Sequence, residues 1–188
     1  MNTLTRTEAL SNFVVELRIK DLPVEVIEAS KKCLLDWMGV TLSGAADPSV
    51  RMLINLIREM GGRRQASIIG YGMKTNVLHA ALVNGTASHI MDYDDAHVGS
   101  RSHPSAPLIP ALLAISEYKK LSGSEFITAF VPGFEVSTRI GLALGKSYYN
   151  LGWHATPILG RFGAAAGGWE TPEAEYETVG HCLWTCSD

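Results

Sequence analysis

Residues 76–97 read NVLHAALVNGTASHIMDYDDAH, and the fold turns on how they are read. Asn76 is a helix N-cap residue. Val77, Leu78, Ala81 and Leu82 follow it at the spacing of one helix face, out to Ile90. The helical period then stops and acids begin: Asp92, Asp94 and Asp95, with His97 close behind. Ser102-His103-Pro104-Ser105 follows, and Pro104 can open another helix, with Leu108, Ala111, Leu112 and Ile115 on its buried side. Three carboxylates and two imidazoles therefore lie between Met91 and His103, joining the ends of two apolar helices. A merely solvated charge run would mix in Lys and Glu, and this one does not.

The same helical reading extends outward in both directions. Thr5-x-x-Glu8 is a capping box, followed by Leu10, Phe13, Val14 and Leu17 on one face. Pro23 suits a first helical turn, and Val26, Ile27, Leu34, Trp37 and Met38 carry the next helix to a stop at Gly44. Asp47-Pro48 caps a helix through Met52, Ile54, Leu56 and Ile57 that ends at Gly61-Gly62. Gln65 to Tyr71 (QASIIGY) is the one strand-like run. Beyond Ser122-Gly123-Ser124 a helix with Phe126, Ile127, Phe130 and Phe134 is expected, kinked at Pro132-Gly133. A small-residue helix is expected to begin at Gly163. The fold class is all-α. No internal repeat or linker divides the helical part.

The 188 residues carry a net charge of −3, 46% hydrophobic and 19% charged. Those values exclude wholesale attraction to nucleic acid or an anionic membrane. No continuous apolar run approaches the ~18 residues of a membrane span. No signal-peptide pattern follows Arg6 and Glu8. Three cysteines make no disulfide framework, and a cytoplasmic location is expected.

The acid/imidazole segment suits proton transfer on a small polycarboxylate. The carboxylates emerge at a helix C-terminus, where the macrodipole disfavours them, and His97 and His103 can supply positive partners. The Pro104 helix offers N–H groups to an anion, and Arg101 adds a guanidinium. Plainer readings compete residue by residue. Asp92 or Asp95 could be a cap, His103 could cap the helix after it, and Arg101 could pair only with Asp94. His89 reads as a packed or half-exposed core histidine, and His154 beside Trp153 as a packed loop residue. Asp, Asp and His at this spacing could also hold Mg, Mn or Zn, although no established metal motif accompanies them. His181-Cys182 with Cys186 supplies three zinc-like ligands. The D-x-D-D form of residues 92–95 is similar to the acid motif of protonating terpene cyclases, which need an aromatic cavity that 8% aromatic content does not suggest.

The strings NGTASHIMDYDDAH and SHPSAPLIPALLAISE, followed by GFEVSTRIG and GWHATPILGRFGAAA, resemble the MmgE/PrpD family. That family includes 2-methylcitrate dehydratase, cis-aconitate decarboxylase and iminodisuccinate epimerase. The resemblance runs from Leu4 to Gly168. It implies a multi-helix domain, joined in complete members by an α/β lid domain, with the active site in the cleft between them. It also implies a cofactor-free homodimer, and no metal is expected. Carried over by position, the first catalytic Asp falls on Asp92 and the His of H-P-S on His103. The His of G-[WF]-H-P-T falls on His154, although Ala155 replaces the usual Pro. Ala96 stands where decarboxylase members have Thr, which argues against a strict cis-aconitate decarboxylase.

The expected function is a lyase acting on a small polycarboxylate with loss of water or CO₂. His103 and His154 would act as acid/base groups, with Asp92 setting their charge and tautomer. Arg101, Asp95, His97 and Ser105 are the candidate substrate-binding residues. An epimerase, or an inactive helical remnant, is the alternative. Nothing after Gly168 matches the family's catalytic lysines or its lid. Residues 169–188 are expected to be a divergent tail produced by a reading-frame change and an early stop, leaving 1–168 as an incomplete domain.

Overall fold

The computed structural model describes residues 4–168, so the expected 169–188 tail and its zinc-like residues lie outside the described residues. The order is α1 (Arg6–Glu16), a 3-10 turn (Ile19–Asp21), α2 (Val24–Gly44), α3 (Pro48–Met60), β1 (Ala66–Ile68), β2 (Met73–Thr75) and α4 (Val77–His89). Then come α5 (Ser105–Lys119), α6 (Gly123–Leu144), α7 (Ser147–Asn150) and α8 (Ala155–Gly167). Apart from one small hairpin, the regular structure of the described residues is helical, which bears out the all-α expectation.

The capping residues do what their chemistry dictates. Thr5 and Glu8 exchange side-chain-to-backbone hydrogen bonds at the start of α1. Asp47 accepts from the Ser49 N–H, and Asn76 from the His79 N–H.

α5 is the central helix. The one-sided burial expected for it is too modest: Leu108, Ile109, Leu112 and Ala114 are all buried, together with Ser105, Ala106, Pro110 and Ser116. A helix apolar nearly all round belongs inside a bundle. Its core partners are Trp37 of α2 and Phe126 and Phe130 of α6. A second core joins Val50, Ile54 and Ile57 of α3 to Ile68 of β1 and Val83 of α4.

The strand-like run does form β1, but its partner β2 escaped the sequence reading because Met73-Lys74-Thr75 is too short to show a period. Ala66 faces Thr75 and Ile68 faces Met73 in antiparallel register. Gly70 and Gly72 take positive φ at the turn. Two side chains tie the hairpin down. Buried Asn84 of α4 accepts from the Ile69 N–H at 2.9 Å and donates to the Ser67 carbonyl at 2.9 Å. Glu117 of α5 accepts from the Ser67 N–H and hydroxyl and from Lys74.

α6 runs through Pro132 as one helix of 22 residues. By length and composition (mean hydropathy 1.2) it could cross a membrane, although Glu135 and Arg139 interrupt its apolar run. Its Phe126, Phe130, Val131 and Val136 are buried among the other helices, which is the position of a core helix. α8 begins at Ala155, eight residues before the expected start, and packs on α6 through small residues. A Cβ on Gly133 would lie 2.8 Å from the Gly163 carbonyl oxygen, and one on Gly163 would lie 2.9 Å from that of Gly133.

Candidate active site

The last turn of α4 and the loop to α5 build the site. His89 is the final residue of α4. The Asp92 N–H then donates to the His89 carbonyl, and Asp92 takes φ +49°, which turns the chain back over the helix end. That reversal brings Asp94 beneath two imidazoles. His89 Nδ1 lies 3.0 and 3.1 Å from the two Asp94 carboxylate oxygens. His103 Nδ1 lies 3.4 Å from Asp94 Oδ1, and His103 Nε2 lies 3.5 Å from Asp92 Oδ1. The Asp94 side chain is 1% exposed and the Asp92 side chain 82%. The ring centres of His89 and His103 are 4.9 Å apart, and exposed His154, at the start of α8, lies 6.2 Å from His89.

The central carboxylate is therefore Asp94, not Asp92 alone. The hydrogen bond that His89 donates to the Asp94 carboxylate raises the His89 pKa above the ordinary histidine value. Burial opposes this, and the charges of Asp94 and Asp92 add to it. His103 Nδ1 is buried and makes no hydrogen bond of acceptable geometry.

The other candidates are placed as follows. Asp95 caps α5: it accepts from the Ser105 N–H at 3.1 Å and the Ser105 hydroxyl at 2.6 Å. Burial pushes its carboxyl above the usual range, against the two Ser105 hydrogen bonds and with the charges of Asp94 and Asp36. This leaves the Pro104 helix end fewer free N–H groups for a substrate carboxylate than the sequence suggests. Pro104 and Pro107 have no N–H, and that of Ser105 is already given to Asp95. His103 does not cap the helix; its own N–H donates to Thr156 Oγ1 at 3.1 Å, which ties the loop to α8.

His97 holds the loop rather than the cluster. Its Nδ1 lies 2.8 Å from Ser100 Oγ, and its backbone pairs with Ser102. The Tyr148 hydroxyl donates to the Ser100 carbonyl and fastens the same turn to α7. Arg101, exposed and at φ +53°, makes no ion pair with Asp94 among the described residues. Its guanidinium lies 5.2 Å from the Tyr149 ring centre.

Sequence reasoning missed His89 as a site residue. It is half-buried, as expected, but its ring is committed to Asp94. The available signal was its position one turn before the acids, at the end of a capped helix.

The arrangement can hold a proton on an imidazole at a buried carboxylate and pass it to a neighbour. An apolar groove of about 530 Å³ adjoins it, with His89, His154, Leu82, Ile90 and Pro107 in its wall.

The profile of the MmgE/PrpD N-terminal domain matches residues 8–181. The chain belongs to the MmgE/PrpD family. Among its relatives, the cis-aconitate decarboxylase-like protein oryM of Aspergillus oryzae is 33% identical, over 85% of this chain and 35% of that one. The cis-aconitate decarboxylase of Aspergillus terreus is 30% identical over 86% of this chain and 34% of its own length. That of Mus musculus is 28% identical over 85% and 34%. The chain thus spans about a third of the length of the curated relatives it matches.

Proposed function

We propose that this chain carries the imidazole/carboxylate half of a lyase site of the MmgE/PrpD family, acting on a small polycarboxylate. The observation that supports this best is the buried Asp94 carboxylate shared by His89 and His103, with His154 and Asp92 at its rim. In this reading an imidazolium of the cluster binds a substrate carboxylate, and the neighbouring imidazole moves the proton. For dehydration, a neutral imidazole takes the proton from carbon next to a carboxylate. The freed pair forms the double bond, and the hydroxyl leaves with a proton from an imidazolium, as water. For decarboxylation, the C–CO₂ bond breaks, and an imidazolium protonates the carbon that receives its electrons.

Asp94 holds ring orientation and charge, the positioning role that the sequence reading gives to Asp92. Ala96, in the place of the decarboxylases' Thr, favours a 2-methylcitrate dehydratase-like reaction over strict cis-aconitate decarboxylation. A homodimer, with no cofactor, goes with this reading. The test is turnover of 2-methylcitrate and of cis-aconitate by the protein that carries this segment at full length, following the unsaturated product and CO₂. His103→Gln is expected to lower the rate by about 10²–10⁴. Undiminished turnover in that variant, or no turnover of either substrate by the parent protein, contradicts the reading.

A further inference from the structure

We propose that His89, Asp92, Asp94 and His103 form a Zn²⁺ site, and that the ion shuts the site by taking the imidazoles the substrate needs; the shutting rests on the functional reading above, the binding does not. One donor atom from each residue lies within 4.8 Å of all the others. Zinc held at about 2.0–2.1 Å by nitrogen and oxygen in a tetrahedron sets its donors about 3.3 Å apart. Two spacings are already there: His89 Nδ1 to Asp94 Oδ1 at 3.0 Å, and His103 Nδ1 to Asp94 Oδ1 at 3.4 Å. The widest must close by about 1.5 Å. The exposed Asp92 side chain, on the loop, can supply that movement.

Two further observations point to a cation. His103 Nδ1 is buried without a hydrogen-bond partner and faces the Asp94 carboxylate at 3.4 Å, so the ring is free to present this nitrogen to a cation. The Asp94 side chain is 1% exposed, and its ion-pair partners among the described residues are histidines, not Lys or Arg. With both rings neutral, a buried carboxylate has no fixed positive charge against it. Two imidazoles with two carboxylates suit zinc, whereas magnesium prefers six oxygens in octahedral geometry. Zinc bound here occupies the lone pairs that would accept a substrate proton.

The test titrates ZnCl₂ into the chain carrying Cys182→Ser and Cys186→Ser, so that those thiols cannot account for binding. One Zn²⁺ per chain is expected by calorimetry. Affinity should fall by about tenfold or more in His89→Gln and in Asp94→Asn, and should be unchanged in His79→Gln. Co²⁺ in the same protein should give the intense visible bands of a four-coordinate site, a reading that needs no site variant. Absence of saturable binding, a pale six-coordinate cobalt spectrum, or affinity indifferent to His89→Gln and Asp94→Asn in helical, folded protein would overturn the site. In the full-length protein, zinc should inhibit turnover, and added substrate should relieve the inhibition. Turnover that is indifferent to saturating zinc overturns the shutting and leaves the functional reading standing. Zinc binding in a protein that turns over neither substrate overturns that reading and leaves the ion site.

Discussion

The Asp94 carboxylate lies 3.0 Å from His89 Nδ1, at the point where α4 ends and the chain turns back on itself. A buried acid thus fixes the ring of a half-buried histidine five residues earlier. Everything proposed for the site depends on that pairing, and its first consequence is a titration.

In the folded, metal-free protein His89 is expected to protonate at a higher pH than an ordinary histidine, because of its Asp94 hydrogen bond. Imidazole NMR should show this directly. The sign for stability follows. The folded pKa is raised, so the pairing's contribution is complete below the unfolded value of about 6.5 and fades as pH rises through the folded value. Asp94→Asn should bring the His89 midpoint down, because burial, which opposes protonation, then acts with little against it.

The cap on α5 is a stability element. Asp95→Ala removes the acceptor for two Ser105 hydrogen bonds and should cost about 1–2 kcal/mol in urea unfolding. The raised carboxyl also gives the wild type a pH dependence. It is favoured below the unfolded value of about 3.9, and that advantage is lost as pH rises through the folded pKa. Asp95→Asn should flatten that part of the stability profile.

The α6–α8 contact has no room for a methyl group. Gly163→Ala sets a Cβ against the Gly133 carbonyl and should destabilise by about 1–3 kcal/mol. Gly123→Ala, where the structure is open, serves as the control in the same thermal melt.

Asn84→Ala leaves the Ser67 carbonyl and Ile69 N–H without their side-chain partner under the hairpin. A loss of about 2–4 kcal/mol is expected, with faster amide exchange at Ile69.

Much of this was legible in the residues. Thr5 with Glu8, Asp47 before Pro48, and Asn76 are local signals, because a cap needs only its own first turn. The loop from Asp92 to His103 announced itself by residue type. What stayed hidden depends on contacts distant in sequence or on a single backbone turn. Asp94 rather than Asp92 became central because Asp92 adopts a positive φ and Asp94 swings under His89. Asp95 took the helix end because Pro104 and Pro107 leave it few other donors. α5 is buried nearly all round because helices surround it, which its own pattern does not reveal. α8 starts early at Ala155 because His154 ends an extended approach, and Pro157 fits a first turn.

The most direct measurement is kcat for Asp94→Asn, His103→Gln and the double variant in the full-length protein, with 2-methylcitrate or cis-aconitate as substrate. If Asp94 works by holding the imidazoles, the double variant loses no more than the worse single one, because both changes disable one unit. Losses that multiply, or full turnover in Asp94→Asn, would contradict the account.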